Sequence, residues 1–195
     1  MLPSESEVLE IFRKTGALLE GHFILSSGLH SPNYFQCAKV LQYPNYLTLL
    51  CTPIASHFLE KGIDVVASPA LGGVVVGTEV GRQLGKRTIF AERTEGMMKF
   101  RRGFEIQERE RVLVVEDVVT TGGSVREVMK LVEEYGGIVA GVGFIVDRSN
   151  GAVVLSKDQY SLLKMNVVAY PHDSIPESLA RIPAMKPGSR VKPVS

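Results

Sequence analysis

The stretch RVLVVEDVVTTGGSVREV, residues 111–128, joins an apolar run, two adjacent acids, a polar loop and a helical pattern. The apolar run predicts a buried strand, and the residues after the loop follow helical spacing. Strand and helix patterns alternate from residue 63 to residue 147, which predicts an α/β fold with a central, mostly parallel sheet flanked by helices. Such sheets bind ligands beyond the carboxyl ends of their strands, where this strand delivers Glu116 and Asp117.

The loop after the acids, TTGGS at residues 120–124, is suited to a phosphate. It offers backbone N–H groups, hydroxyls and a helix N-terminus, which together favour an anion. Carboxylates beside a phosphate would repel it unless the phosphate is carried by a polyol whose hydroxyls donate to them. A sugar phosphate fits this pattern, and the acids can also recruit Mg²⁺. The alternative is an ordinary capped helix after a strand.

Other classes of protein fit less well. The sequence contains no GxxxxGK[ST] motif, and no GxGxxG opens a helix. The net charge of +1 indicates neither a nucleic-acid partner nor an anionic membrane, and the apolar runs are too short to span a bilayer. The first residues do not resemble a secretion signal, and the two cysteines and four scattered histidines show no metal-binding spacing. We therefore expect a cytoplasmic protein.

The segments around this core are less regular. Residues 21–37, rich in Gly, Ser and aromatics, predict a small irregular subdomain, and residues 164–170 predict the last strand. Residues 94–110 are charged and punctuated by glycine, so we expect a mobile loop or ribbon that is too polar to belong to the core. The early helices carry Tyr46, Leu49 and Leu50, which suit either a subunit interface or a closed core.

The stretch VLVVEDVVTTGGS resembles the phosphoribosyl pyrophosphate (PRPP) signature of the type I phosphoribosyltransferases. The segments ALLEGHFILSSGLHSPNYFQ, FAER, MMKFRRGF and VDRS are similar, in order, to those of one branch, the orotate phosphoribosyltransferases. The resemblance covers roughly residues 8–190. It implies the type I phosphoribosyltransferase fold, with a hood at about 16–43, a core at about 44–170 and a tail at about 171–195.

The resemblance also implies a reaction and its partners. PRPP and orotate would give orotidine 5′-monophosphate and pyrophosphate, with Mg²⁺ bound mainly through PRPP rather than by a protein site. It further implies a homodimer in which residues 94–110 form a lid over the neighbour's site. Two rivals stay open: a phosphoribosyltransferase for another base, such as a purine, and a PRPP-sensing regulator without catalysis.

Roles carried over from the family fall on three groups of residues. The residues implied to bind PRPP are Arg93, Glu116, Asp117, Val118, Val119, Thr120, Thr121, Gly122, Gly123 and Ser124. Those implied to bind orotate are Thr120, Arg148, Tyr34 and Phe35, and the catalytic ones are Asp117, Lys99 and Arg101. A guanidinium holds a carboxylate in a bidentate way, which suits Arg148 to orotate. The alternatives are a salt bridge from Arg148 to Asp147, and core positions for the two aromatics.

The sequence departs from the family pattern at four places. Ser26 stands where many relatives carry a lysine, and Leu71 and Gly72 occupy a turn that often contains another. The loop pattern KxxxKxHG is replaced by RTEGMMKFRRG, which leaves the cations Lys99, Arg101 and Arg102. A C-terminal CPxC is absent, with Ile175 and Ser178 in its place.

Overall fold

The computed structural model describes residues 2–25, 27–166 and 168–186. Ser26 and the end of the expected tail, residues 187–195, lie outside the described residues. The chain forms helices α1 (Glu5–Lys14), α2 (Ala38–Leu41), α3 (Pro44–Phe58), α4 (Gly72–Leu84), α5 (Gly123–Glu134) and α6 (Glu177–Ala180). Its strands are β1 (Leu18–Ile24), β2 (His30–Phe35), β3 (Val65–Pro69), β4 (Arg87–Thr94), β5 (Met97–Phe100), β6 (Arg111–Val119), β7 (Ile138–Asp147), β8 (Gln159–Lys164) and β9 (Ala184–Met185).

The main sheet has the strand order β5-β4-β3-β6-β7-β8. All neighbouring strands pair in parallel except β5, which runs antiparallel to β4. Helices α3 and α4 contribute to the hydrophobic cluster on one face, and α5 contributes to the cluster on the other. A strand buried on both faces has a continuous apolar sequence, and β6 is buried from Val112 to Glu116. The expected α/β fold is therefore confirmed.

A second, three-stranded sheet forms the hood. Strands β1 and β2 pair antiparallel, and β9 from the end of the described chain adds to β1 in parallel. The chain reaches β9 along the hood, because the backbones of His30 and Tyr170 exchange two hydrogen bonds of 2.8 and 2.7 Å. The last strand of the main sheet is β8, so the predicted strand at residues 164–170 is wrong. Tyr170, at its end, pairs with His30 of β2 instead of with β7.

Residues 94–110 begin as a hairpin between β4 and β5. Strand alternation points Met98 and Phe100 toward α5, and both are buried in the core together with Ile106. The Phe100 ring meets the ring of Tyr135 edge-on at 5.6 Å. The expectation that this segment is too polar for the core is therefore wrong, because Met98, Phe100 and Ile106 are buried although Met97 is exposed.

The three residues of the early helices that suited either an interface or a core differ in their burial. Leu50 is fully buried in the core and is not available to an interface. Tyr46 and Leu49 are partly exposed and line a surface groove beside α1. Helix α1 begins with a capping box, in which Ser4 and Glu7 bond each other's backbone N–H groups. Within the described ranges, no helix is both long and apolar enough to cross a membrane.

Candidate active site

The acid pair lies at the carboxyl end of β6, in the middle of the main sheet. Glu116 is only 9% exposed, and Asp117 is half-buried. The Asp117 N–H donates to Oε1 of Glu116 at 3.0 Å, and the Val118 N–H donates to Oδ1 of Asp117 at 2.8 Å. No basic side chain in the described part of the chain forms an ion pair with either acid.

Burial raises the pKa of Glu116, and the neighbouring Asp117 carboxylate raises it further. Burial also raises the pKa of Asp117. Both effects disfavour two negative charges at one desolvated position. Hydroxyl groups that donate to these oxygens, or a cation close to them, would favour the ionised form. The pair is therefore arranged to accept hydrogen bonds from a ligand.

Two glycines at the start of α4 make room for the acids. A Cβ atom on Gly72 would lie 2.3 Å from Oδ2 of Asp117, and one on Gly73 would lie 2.8 Å from Oε1 of Glu116. Both distances are shorter than atoms tolerate, so the helix approaches the acids this closely only with glycine there. From the sequence, Gly72 opens a helix and stands where many relatives carry a lysine, without a link to the acid pair. The signal that could have identified its role is a Gly-Gly pair opening a helix directly after a buried strand.

A cavity of about 320 Å³ lies between the end of β6, the loop and the start of α5. The loop turns into α5 at Gly122, whose φ of 76° is left-handed. The Arg126 side chain braces the loop by donating to the Thr121 carbonyl at 2.6 Å. The cavity is lined by Arg93, Glu116, Val118, Val119, Thr120, Thr121, Gly122, Gly123, Ser124, Val125 and Glu127. The structure thus brings together all of the residues expected to bind PRPP except Asp117, which lies next to the cavity.

Arg93, near the end of β4, reaches this cavity from the side. Its Nη2 donates to Oε1 of Glu127 at 2.9 Å and lies 2.8 Å from the other carboxylate oxygen. Its Nη1 donates to the Gly96 carbonyl at 2.7 Å. Sequence reasoning did not single out Glu127, because one acid on an amphipathic helix carries no distinctive pattern.

Arg148, directly after β7, is attached to the end of β6, next to the loop at residues 120–124. Its backbone N–H donates to the Val119 carbonyl at 2.8 Å. Its side-chain Nε is buried without a hydrogen-bond partner among the described residues, and burial lowers its pKa. The alternative salt bridge to Asp147 does not form, since that buried carboxylate accepts from the Ser149 hydroxyl and from backbone N–H groups of Ser149 and Gly151.

The two hood aromatics have different surroundings. Tyr34 is half-buried and close enough to Arg148 to affect its pKa. The Phe35 ring is buried in the core, where it meets the Phe12 ring edge-on at 5.0 Å. The alternative of a core position therefore holds for the Phe35 ring, because packing against α1 directs it inward. Only its backbone can contribute to a base site.

The cations of residues 94–110 do not line the cavity of their own chain. Lys99 and Arg101 are exposed. Arg102 forms two hydrogen bonds of 3.0 Å with Glu92, and its guanidinium carbon lies 5.8 Å from the centre of the Phe90 ring. Within one chain, the structure keeps these candidate catalytic residues apart from the acid pair and the loop.

Three of the four histidines meet in the hood, although they are scattered in the sequence. Nε2 of His22 lies 2.7 Å from Nδ1 of His30, and Nε2 of His30 lies 3.3 Å from Nδ1 of His172. Nδ1 of His22 also lies 2.9 Å from the Ile182 carbonyl oxygen. The described residues contain no group of three or more side chains placed to hold a metal ion.

Known proteins resemble this chain in sequence and in fold. A family model described as the phosphoribosyl transferase domain matches residues 47–175. The orotate phosphoribosyltransferase of Chlorobaculum parvum is 60% identical over 187 residues, covering 96% of this chain and 97% of that protein. The crystal structure of orotate phosphoribosyltransferase from Aeropyrum pernix has a TM-score of 0.68 and 22% identity, covering 81% of this chain and 93% of that one. The crystal structure of an adenine phosphoribosyltransferase from Thermoanaerobacter pseudethanolicus has a TM-score of 0.57 and 20% identity, covering 68% of this chain and 88% of that one.

The matched domain, the parallel sheet and the acid pair before a glycine-rich loop define a phosphoribosyltransferase. The fold alone does not choose the base, because orotate and adenine enzymes share it. The chain belongs to the orotate phosphoribosyltransferase family, because its sequence is 60% identical to a member over nearly the full length of both proteins.

Proposed function

We propose that the chain transfers the phosphoribosyl group of PRPP to orotate, giving orotidine 5′-monophosphate and pyrophosphate, a step of pyrimidine biosynthesis. The observation that carries this proposal is the buried Nε of Arg148, which lies near the loop at residues 120–124. It has no hydrogen-bond partner among the described residues. An unsatisfied buried donor is costly, and a carboxylated base supplies an acceptor for it. Orotate carries such a carboxylate, whereas adenine and hypoxanthine do not.

The phosphoribosyl group would be held at three points. The 5-phosphate lies in the loop at residues 120–124, where the N–H groups at the start of α5 point toward the anion. The ribose hydroxyls donate to the carboxylates of Glu116 and Asp117. These bonds favour the ionised acids, whose pKa values are raised in the free protein. Asp117 then faces the positive charge that develops on the ribose as the bond to pyrophosphate breaks.

Orotate would lie between the loop and the hood. Arg148 holds its carboxylate, Thr120 contributes from the loop, and Tyr34 with the Phe35 backbone closes the other side. The carboxylate makes orotate an anion, but its attacking ring nitrogen carries a proton, which must pass to water or to the departing pyrophosphate as that nitrogen attacks C1 of the ribose. The new C–N bond forms as the C–O bond to pyrophosphate breaks. Catalysis then depends on positioning and on charge stabilisation.

The leaving pyrophosphate would meet Arg93, with Lys99 and Arg101 as additional cations. Mg²⁺, when bound, neutralises charge on the pyrophosphate oxygens. The residues present fit a Mg²⁺ site only in part. The carboxylates of Glu116 and Asp117 are hard oxygen ligands of the kind Mg²⁺ uses, and PRPP would supply most of the remaining oxygen ligands. We accordingly assign no dedicated protein site to the metal.

The subunit arrangement and the compartment belong to the same proposal. Lys99 and Arg101 are exposed and do not line the cavity of their own chain, which supports a homodimer in which this segment serves the neighbouring site.

A cytoplasmic enzyme without a nucleic-acid or membrane partner fits its small substrates and its net charge of +1. The rival readings are a purine phosphoribosyltransferase and a PRPP-sensing regulator.

A screen of bases tests the proposal. The protein is incubated with PRPP and Mg²⁺ and with orotate, uracil, adenine, guanine or hypoxanthine, and pyrophosphate release is followed. We expect release with orotate far above that with any other base. Faster release with a purine would support the first rival. PRPP binding without release for any base would support the regulator.

A further inference from the structure

A third acid lines the cavity that is proposed to hold phosphates. Glu127, on the second turn of α5, faces the same cavity as Arg93 and Glu116. A carboxylate repels a phosphate. Glu127 is on α5, whereas the acid pair is at the end of β6. Its only hydrogen-bonding partner among the described residues is the side chain of Arg93. This contact makes Arg93 the group through which Glu127 can favour a phosphate ligand.

The contacts of Arg93 hold it from two sides. Glu127 accepts from Nη2, and the Gly96 carbonyl accepts from Nη1. A guanidinium carries five N–H donors, so donors remain for an anion while these contacts fix its direction. A free arginine loses rotamer freedom when it binds a ligand, and an arginine that is already held loses less. This advantage opposes the repulsion between Glu127 and the ligand.

We propose that Glu127 is a positioning residue that holds Arg93 in place for the pyrophosphate group of PRPP. The inference rests on the proposed function only in taking PRPP as the ligand. The Glu127 carboxylate orients the guanidinium before the substrate arrives, and Gly96 keeps it from turning out of the cavity. Glu127 itself does not touch the substrate.

PRPP binding in the presence of Mg²⁺ and without any base, measured by calorimetry, tests this role. Glu127→Ala should weaken PRPP binding about fivefold. The effect is modest because the side chains of Arg93 and Glu127 are 47% and 42% exposed, and exposed ion pairs contribute little. Glu127→Gln keeps an acceptor for Nη2 and should recover most of the affinity. The control is Glu134→Ala, which removes a comparable ion pair to Lys130 on the same helix and should leave PRPP binding unchanged.

A double-mutant cycle separates positioning from any general effect of the substitution. In an Arg93→Ala background, Glu127→Ala should have no further effect on PRPP binding. Loss of affinity in both backgrounds would overturn the proposal, because Glu127 would not be acting through Arg93. Unchanged or tighter PRPP binding in the single Glu127→Ala variant would overturn it as well, since repulsion would then equal or outweigh positioning.

Steady-state kinetics gives an independent readout. Glu127→Ala should raise the KM for PRPP and leave the KM for orotate within about twofold; equal changes in both would contradict positioning at the pyrophosphate. The binding experiment contains no base, so it distinguishes this inference from the proposed function. If PRPP binds and responds to Glu127 as described while orotate is not used, the proposed function fails and the role of Glu127 stands.

Discussion

The backbone N–H of Arg148 donates to the carbonyl of Val119 at 2.8 Å, so the arginine after β7 is attached to the last residue of β6, directly before the loop. The two strands are parallel neighbours, with Val119 in register with Asp147. The hydrogen bond therefore fixes the proposed base site relative to the proposed phosphate site. The groups proposed to hold the two substrates are thus connected through one backbone hydrogen bond.

Removing the Arg148 side chain should affect the two substrates unequally. In Arg148→Ala, we expect the KM for orotate to rise roughly 10- to 100-fold, because hydrogen bonds to a charged group are lost. The KM for PRPP should change by less than about threefold, since the backbone bond to Val119 remains. Arg148→Lys should lie between, because lysine keeps the charge and loses the bidentate geometry. Steady-state kinetics with each substrate varied in turn makes the measurement.

The matched control is Arg181→Ala, which removes an exposed arginine paired with Glu177 on α6. Its kinetics should equal those of the unmodified protein. Equal losses for orotate and PRPP in Arg148→Ala would refute the assignment of this side chain to the base.

Replacing Gly72 should lower activity about as much as replacing Asp117, the acid beside it. In Gly72→Ala, the new methyl group would lie 2.3 Å from Oδ2 of Asp117, so the carboxylate must move. Asp117→Asn, which keeps the shape and removes the charge, should lower kcat roughly 10²- to 10³-fold. We expect a loss of similar size for Gly72→Ala in a protein whose circular dichroism spectrum is unchanged.

The double variant shows whether both changes act at one place. Adding Gly72→Ala to Asp117→Asn should cost little further activity, because the carboxylate is already lost. Multiplied losses would mean that Gly72 acts independently of Asp117, perturbing the cleft by another route.

The raised pKa of Glu116 predicts how stability depends on pH. Burial and the Asp117 carboxylate make the folded state bind this proton more tightly than the unfolded state does. Stability should therefore fall as pH rises above the ordinary glutamate value of about 4.5 toward the raised one. Glu116→Gln stays neutral and avoids this loss. Its Tm without ligands should exceed that of the unmodified protein by roughly 3–6 °C at pH 8 and by much less at pH 5.

Glu79 provides a control of opposite sign. Hydrogen bonds from Arg82 lower its pKa to about 2, so its stabilisation is present at neutral pH and is lost as pH falls through the lowered value. Glu79→Gln should therefore lower the Tm at pH 7. A Tm difference for Glu116→Gln that does not change between pH 5 and pH 8 would contradict the desolvated acid pair.

Complementation tests whether the lid serves the neighbouring site. One inactive variant carries Asp117→Asn, and the other carries Lys99, Arg101 and Arg102 all changed to Ala. If the lid acts in trans, a mixed dimer has one site with both lesions and one intact site. Coexpression should then restore roughly one quarter of the activity when subunits pair at random.

A lid acting in cis leaves one lesion in every site, and the mixture stays inactive. Each variant expressed alone provides the baseline. Sedimentation of the unmodified protein as a monomer at assay concentrations would remove the shared-site hypothesis.

The core and the main site were predictable because their signals are local. Alternating strand and helix patterns predict the parallel sheet, and the acid pair with TTGGS is one continuous segment that carries its own chemistry. The sequence also places Arg148 after the next strand, although its bond to Val119 is seen only in the structure. These features depend on sequence neighbours or on the general geometry of α/β sheets.

The features that sequence reasoning missed depend on contacts between distant segments. The contact of His22 with Ile182 spans 160 residues, and no periodic pattern announces it. Phe35 faces the core because α1 happens to cover it, and residues 94–110 enter the core through Met98 and Phe100 within a mainly polar segment. Composition averages over such a segment, whereas burial is decided residue by residue.

The most direct test of the proposed activity is product analysis after incubation with PRPP, orotate and Mg²⁺. Mass spectrometry and a pyrophosphate assay are run on the same sample, with Asp117→Asn as the control. We predict orotidine 5′-monophosphate and pyrophosphate in equal amounts from the unmodified protein and a rate roughly 10²- to 10³-fold lower from the variant. Pyrophosphate released without any orotidine 5′-monophosphate, or equal rates from the two proteins, would contradict the proposal.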